Sequence, residues 1–273
     1  MESAPQADHI RLLFDPGASL YTLAGQRRRF ASAVEGLTVD ELARPSRCAE
    51  WTVADVLRHL VWVDRSVRRI WAGDQSIAPG FDPRITPNQA VQDDRVISDE
   101  EIREQYLLST ETMIVDLASS GPERFGRPSL SPAGRVPWWM SAVHVGWDSS
   151  IHERDVLLPV GRSVEERPSE TSLFLAYSLV LTSFLAGRAP LRVRVDGIEL
   201  CRETGPVIVA AVANGDSGED LARQPVAIVT TDDPVKVIDG MSGRGSVEQS
   251  LKGDADTVRR LGGLARYFSS PPS

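Results

Sequence analysis

Apolar residues recur at helical spacing through the first two-thirds of the chain and give way to strand-like alternation near Arg188. Leu20, Leu23, Phe30 and Val34 share one stripe and predict a helix over residues 17–36. Thr38-Val39-Asp40-Glu41 has the Thr-x-x-Glu spacing of a capping box and predicts a short helical turn, interrupted by Pro45-Ser46-Arg47. Val53, Val56, Leu57, Leu60, Val63, Val67, Ile70 and Trp71 then mark a second long helix, from near Thr52 to near Gly73. Thr52 can cap it, and Asp55 in its first turn suits the positive end of the helix dipole. Pro79, Pro83 and Pro87 predict a loop over residues 76–94. Ser98-Asp99-Glu100-Glu101 opens a third helix, to about Ser119, and a second loop is expected over 121–136. Pro137 suits the first turn of a fourth helix ending near Leu158, ahead of Pro159 and Gly161, and a fifth is expected over 170–185.

Beyond Arg188 the period is two. Leu191-Arg192-Val193-Arg194-Val195 alternates like a half-buried strand, and Asp196-Gly197 is a tight-turn signal before 198–201. Residues 207–212 and 226–231 are further strand candidates. A short helix is expected over 234–241, a last strand over 247–251 and a closing helix over 254–268. The fold class is therefore helical followed by α+β: a helical domain over 1–187 and a small α+β domain over 188–273.

Composition narrows the function classes. The 273 residues are 41% hydrophobic and 25% charged, as in a globular protein, with a formal net charge of −8. An acidic chain argues against nucleic acid as a partner, and the run Arg27-Arg28-Arg29 reads as a solvated helix face. Cys48 and Cys201 lie in different halves with no CxxC, so no disulfide framework and a reducing, cytoplasmic setting are expected. The first residues lack a basic start and an apolar core, so no signal peptide is expected, and no apolar stretch is long enough to span a bilayer.

The candidate chemistry lies on two helices. His59 is flanked by Val56 and Val63 and points near the buried stripe of the second helix. On the fourth helix His144, Asp148 and His152 form a ladder with steps of four, so neighbours share one face. The ends of that ladder stand about 12 Å apart at the standard helical rise, so one ion cannot take both histidines. Either His144 with Asp148 or Asp148 with His152 is the ligand pair, completed by an imidazole from a packed helix. Two imidazoles and a carboxylate bind a divalent metal and leave positions open. Asp155, one turn beyond His152, is a candidate hydrogen-bond partner for a ligand imidazole.

The segment Glu50-Trp51-Thr52-Val53-Ala54-Asp55-Val56-Leu57-Arg58-His59-Leu60 resembles the signature opening the second helix of the mycothiol-dependent maleylpyruvate isomerase family, within the DinB-like helical superfamily. Residues 144–161, with Asp148-Ser149-Ser150-Ile151-His152-Glu153-Arg154-Asp155 inside them, look like that family's second signature. Residues 232–264, with Met241-Ser242-Gly243-Arg244 and Gly253-Asp254, resemble its small C-terminal domain. The resemblance implies a DinB-like four-helix bundle and a divalent metal, zinc for preference, on His59, Asp148 and His152. One departure stands out: the family usually has Glu where this chain has Asp148.

A zinc-like ion in such a site deprotonates a thiol near neutral pH. No cysteine lies within the two helical signatures, so the thiol is expected from a small molecule, which the resemblance implies is mycothiol. The expected function is isomerisation of, or S-transfer to, a small electrophilic substrate. The alternatives are a non-catalytic binding or regulatory protein on the same fold and a metal-dependent hydrolase. Arg84, Arg124, Arg127 and Arg135 sit in the two loops, Arg84 being the candidate for cofactor contact. Trp51, Trp62, Trp138, Trp139 and Trp147 suit an apolar pocket or plain core.

Overall fold

The structure is a computed structural model that describes residues 15–74, 81–132, 134–185, 192–196, 207–210 and 227–269. Contacts divide the chain into two units. The unit that holds residues 16–129 and 138–165 is built on four long helices: α1 (Pro16–Glu35), α3 (Val53–Trp71), α5 (Asp99–Ala118) and α7 (Trp138–Leu157). A short α2 (Val39–Leu42) precedes α3. α1 packs on α5 and α7, and α3 packs on the same two, which closes a four-membered ring with α1 and α3 on one diagonal. Phe30, Val34, Val56, Leu57, Leu60, Ile102, Tyr106, Val156 and Leu157 fill its centre.

The capping signals act as expected. Thr38 and Glu41 exchange both bonds of a capping box, and so do Thr52 and Asp55 at the start of α3. Ser98 accepts from the Glu101 amide to open α5.

Three expectations for the stretch up to Pro137 are corrected. The stretch expected as a loop over 76–94 carries α4 (Thr86–Asp93) and a 3-10 turn over Asp94–Val96. Pro87 lies in the first turn of α4, where its missing N–H costs no helical bond. The second expected loop holds a helical turn, α6 (Pro122–Phe125), and two short strands, β1 (Pro128–Ser131) and β2 (Gly134–Pro137). Arg27 is not on a solvated face: it is 1% exposed. It occupies the stripe of Leu20, Leu23, Phe30 and Val34, and its guanidinium donates two hydrogen bonds to the Asp64 carboxylate of α3, at 2.7 and 3.0 Å. Arg29 is also engaged, with Glu153 at 3.2 Å, while Arg28 is exposed.

The other unit contains α8 (Pro168–Leu185) and a four-stranded sheet. In the sheet β3 (Arg192–Asp196) lies between β4 (Val207–Ala210), antiparallel, and β5 (Ala227–Thr230), parallel. β6 (Lys252–Gly253) pairs antiparallel with β5. α9 (Pro234–Met241) and α12 (Gly263–Ser269) pack on α8. The strand expected over 247–251 is instead the helical turn α10 (Val247–Ser250), because the Ser246 hydroxyl accepts from the Gln249 amide and starts a helix. The closing helix is two, α11 (Ala255–Leu261) and α12, separated at Gly262. The strand expected over 198–201 lies outside the described residues. No helix among the described residues is long and apolar enough to cross a membrane.

Candidate metal centre

The segment between α2 and α3 folds around two of the candidate residues. Pro45 and Thr52 form an isolated bridge, and the Ser46 amide donates to the Trp51 carbonyl at 2.9 Å. The Ser46 hydroxyl accepts from the Cys48 amide at 3.0 Å and donates to the same Trp51 carbonyl at 2.9 Å. Glu50 adopts a φ of 67°, a left-handed conformation that costs a non-glycine residue energy and is held here by its surroundings. Its carbonyl accepts from Arg95, and the Trp51 indole donates to Asn88 at 3.1 Å. The turn so fixed lays the Trp51 ring against both imidazoles, with centroids 5.3 Å from His59 and 6.4 Å from His152.

α3 is anchored just before His59. Asp55, one helical turn ahead, receives the Thr52 amide, Arg58 at 3.2 Å and Arg95 at 2.7 Å. Burial opposes its charge, but the Arg95 bond, the Thr52 amide and the two guanidinium charges hold its pKa below the usual carboxylate range.

His59 from α3 and Asp148 and His152 from α7 converge. His59 Nε2 lies 3.3 Å from Asp148 Oδ2, and His152 Nε2 lies 3.6 Å from Asp148 Oδ1. One donor atom from each of the three falls within 4.8 Å of the others. The imidazoles are buried, whereas the Asp148 side chain is 17% exposed, so the group opens on the carboxylate side. The donors are two imidazole nitrogens and one carboxylate, which suits a divalent ion of the zinc type with positions left for an outside ligand. Asp148, one methylene shorter than glutamate, reaches both rings from its place on α7.

Charge follows this geometry. Burial works against ionisation of Asp148, but His59 and His152 outweigh it and hold its pKa far below the usual range. Burial also disfavours a charged His152, yet Asp148 first, then Cys48 and the bond to Asp155, raise its pKa to about 10. His144 is pushed the other way, to about 4, chiefly by burial. Its ring stacks on Trp147 with centroids 5.8 Å apart, and it belongs to neither of the metal-compatible groups among the described residues. Of the two pairs open on α7, the geometry joins Asp148 and His152 with His59.

Asp155 stands behind His152, its Oδ2 2.9 Å from Nδ1. One residue of this centre is not among the sequence candidates: Cys48 lies outside both helical signatures and has no metal-type spacing. Its Sγ donates to Asp155 Oδ2 at 3.1 Å and lies 3.7 Å from His152 Nδ1. Its place two residues ahead of the Glu50–Leu60 signature was the available signal. Cys48, His152 and Asp155 form the second metal-compatible group.

The remaining candidates are placed as follows. Arg84 turns onto Asp82, with Nε 3.0 Å from Oδ1 and Nη2 2.8 Å from Oδ2. Arg124 lies over the Trp138 ring at 4.3 Å, and Trp138 packs on Trp71 at 5.0 Å. Trp62 borders His59 at 6.2 Å and stacks on Phe81.

Residues 23–156 match the family model described as the mycothiol maleylpyruvate isomerase N-terminal domain. Two crystal structures share the fold, one of the mycothiol-dependent maleylpyruvate isomerase and one of its histidine-to-alanine mutant. Each has a TM-score of 0.59 and 14% identity, over 88% of this chain and 93% of the other. No curated protein matches the chain.

Proposed function

The chain belongs, through residues 23–156, to the family of the mycothiol maleylpyruvate isomerase N-terminal domain, and on that premise we propose that it is a metal-dependent enzyme that uses a low-molecular-weight thiol to isomerise a small electrophilic substrate. The observation that carries the proposal is the convergence of His59, Asp148 and His152, with the Asp148 side chain 17% exposed and the Trp51 ring against both imidazoles. The three side chains would hold a divalent ion, zinc for preference.

When bound, that ion keeps a thiol deprotonated near neutral pH, and the thiolate is the nucleophile. The protein's own groups set the conditions. His59 and His152 present Nε2, and Asp155 accepts a hydrogen bond from His152 Nδ1–H so that Nε2 faces Asp148. Trp51 and Trp62 border His59 with apolar ring surface, which lowers the local polarity and strengthens charge interactions there. The thiol is supplied by a small molecule of the mycothiol kind. Its sulfur would supply reversible addition to a conjugated double bond, which permits rotation about that carbon–carbon bond before the thiolate is expelled and the trans double bond re-forms. S-transfer would instead keep the new carbon–sulfur bond, with the proton given up by the thiol returning to the adjacent carbanion. Arg84 is committed to Asp82, which makes it a poor carboxylate clamp unless that pair opens.

The test is turnover of a cis-configured enoic keto acid such as maleylpyruvate. Isomerisation that requires both mycothiol and a divalent metal supports the proposal. Thiol-independent hydrolysis favours the hydrolase, and tight metal binding without thiol chemistry favours a binding or regulatory protein.

A further inference from the structure

A proton-bonded chain runs away from the candidate metal centre on the far side of His152. The imidazole offers Nε2 to Asp148 and Nδ1 to Asp155, 2.9 Å from Oδ2. That same Oδ2 accepts from Cys48 Sγ at 3.1 Å. Arg47 Nε lies 3.7 Å from the other carboxylate oxygen, and the Arg47 amide donates to the Asp155 carbonyl at 3.2 Å. Asp155 is wholly buried at the side chain, so its position is set by these neighbours and not by water. Cys48 is itself fixed, its amide tied to the Ser46 hydroxyl inside the turn that carries Trp51.

We infer that Cys48 is a positioning residue for the metal ligand His152, acting through Asp155. The inference rests on the metal-site reading above and deepens it. The thiol proton occupies one lone pair of Asp155 Oδ2 and leaves the other aimed at His152 Nδ1. With that proton in place, the carboxylate accepts from Nδ1–H and the ring keeps Nε2 toward Asp148. Without it, a buried carboxylate oxygen loses a donor, and the side chain is free to rotate about its terminal bond and release the imidazole. The competing reading of the same atoms makes Cys48 a ligand, with His152 Nδ1 and Asp155 completing the second metal-compatible group. The distances favour hydrogen bonds. The Sγ–Oδ2 and Nδ1–Oδ2 separations of 3.1 and 2.9 Å are those of donor–acceptor pairs sharing a proton.

The experiment compares full-length wild type, Cys48→Ser and Cys48→Ala. Cobalt(II) is the probe, and affinity is read by competition with a chelator. The positioning role predicts a loss of about tenfold or more in Cys48→Ala, the scale typical of partners that orient a ligand. It predicts near-wild-type affinity in Cys48→Ser, whose hydroxyl still donates to Asp155. The wild-type cobalt spectrum should lack a sulfur-to-cobalt charge-transfer band. Undiminished affinity in Cys48→Ala overturns the inference, and so does a sulfur band that vanishes in Cys48→Ser.

A second readout needs no metal. The Nδ1 proton of His152 should give a slowly exchanging, downfield proton resonance in metal-free wild type and Cys48→Ser. In Cys48→Ala it should broaden or exchange faster. A wild type that binds no cobalt but shows this pattern defeats the metal-site reading while upholding the link from Cys48 to His152. An unchanged resonance in Cys48→Ala defeats the link itself.

Discussion

Arg27 of α1 and Asp64 of α3 form a doubly hydrogen-bonded ion pair, at 2.7 and 3.0 Å, across the diagonal of the helical ring. The Ser109 hydroxyl of α5 adds a third bond to Asp64 at 2.8 Å. Three helices thus meet at one buried carboxylate. Burial opposes the charge on Arg27, but Asp64 overrides it and raises its pKa.

Removing one partner strands a buried charge. Arg27→Met should cost about 3–5 kcal/mol of folding stability, and Arg27→Met with Asp64→Leu should regain most of it. Urea unfolding of the three proteins checks this. A loss below about 1 kcal/mol in the single variant would show that water reaches Asp64.

The cap of α3 is a smaller effect. Thr52 accepts from the Asp55 amide, and Asp55 returns the bond to the Thr52 amide. Thr52→Ala should lower stability by about 1 kcal/mol and Thr52→Ser by much less. Thermal melts of both variants measure the difference.

Much of this was readable in the sequence, for physical reasons that differ by element. α3 and α7 were legible because their periodicity and boundary residues agree: Thr52 opens one, and Pro137 precedes the other. α4 was hidden because Pro87 signals a loop in general, while at a helix start it fits without loss. The turn at Val247–Ser250 looked like a strand because alternation over five residues is a weak signal, easily outweighed by one serine cap. Arg27 was misread because a basic run suggests solvent; its place on the stripe of Leu23 and Phe30 was the contrary evidence. Of the candidate site, His59, Asp148 and His152 were legible through spacing and resemblance. Cys48 was not, since its contact with Asp155 joins residues 107 positions apart.

Two histidines give the metal-free protein a pH signature. The folded pKa of His152 is raised from 6.5 to about 10, so its contribution to stability is complete below pH 6.5 and is lost as pH rises through 10. The folded pKa of His144 is lowered to about 4, so its contribution is present above pH 6.5 and is lost as pH falls through 4. Tm of metal-free protein should peak near pH 6.5 and fall on both sides. In Asp148→Asn, where His152 loses its main partner, the alkaline decline should flatten. An equal decline in that variant would assign it to other groups.

Asp148→Glu tests how well the shorter carboxylate fits. Asp148 Oδ2 already lies 3.3 Å from His59 Nε2, so an added methylene must buckle to avoid the ring. The variant should bind zinc no more tightly than wild type, and Asp148→Asn should bind it much more weakly. Chelator competition gives both values. Tighter binding by Asp148→Glu would mean that aspartate leaves the site too wide.

The most direct measurement is metal content by mass spectrometry on untagged protein purified without chelators, with His59→Ala beside it. The wild type should carry about one divalent ion per chain and the variant little, since loss of a ligand removes most of the affinity of a three-donor site. A wild type that stays metal-free after reconstitution, or a variant that loads as fully, would contradict a metal centre built on His59, Asp148 and His152.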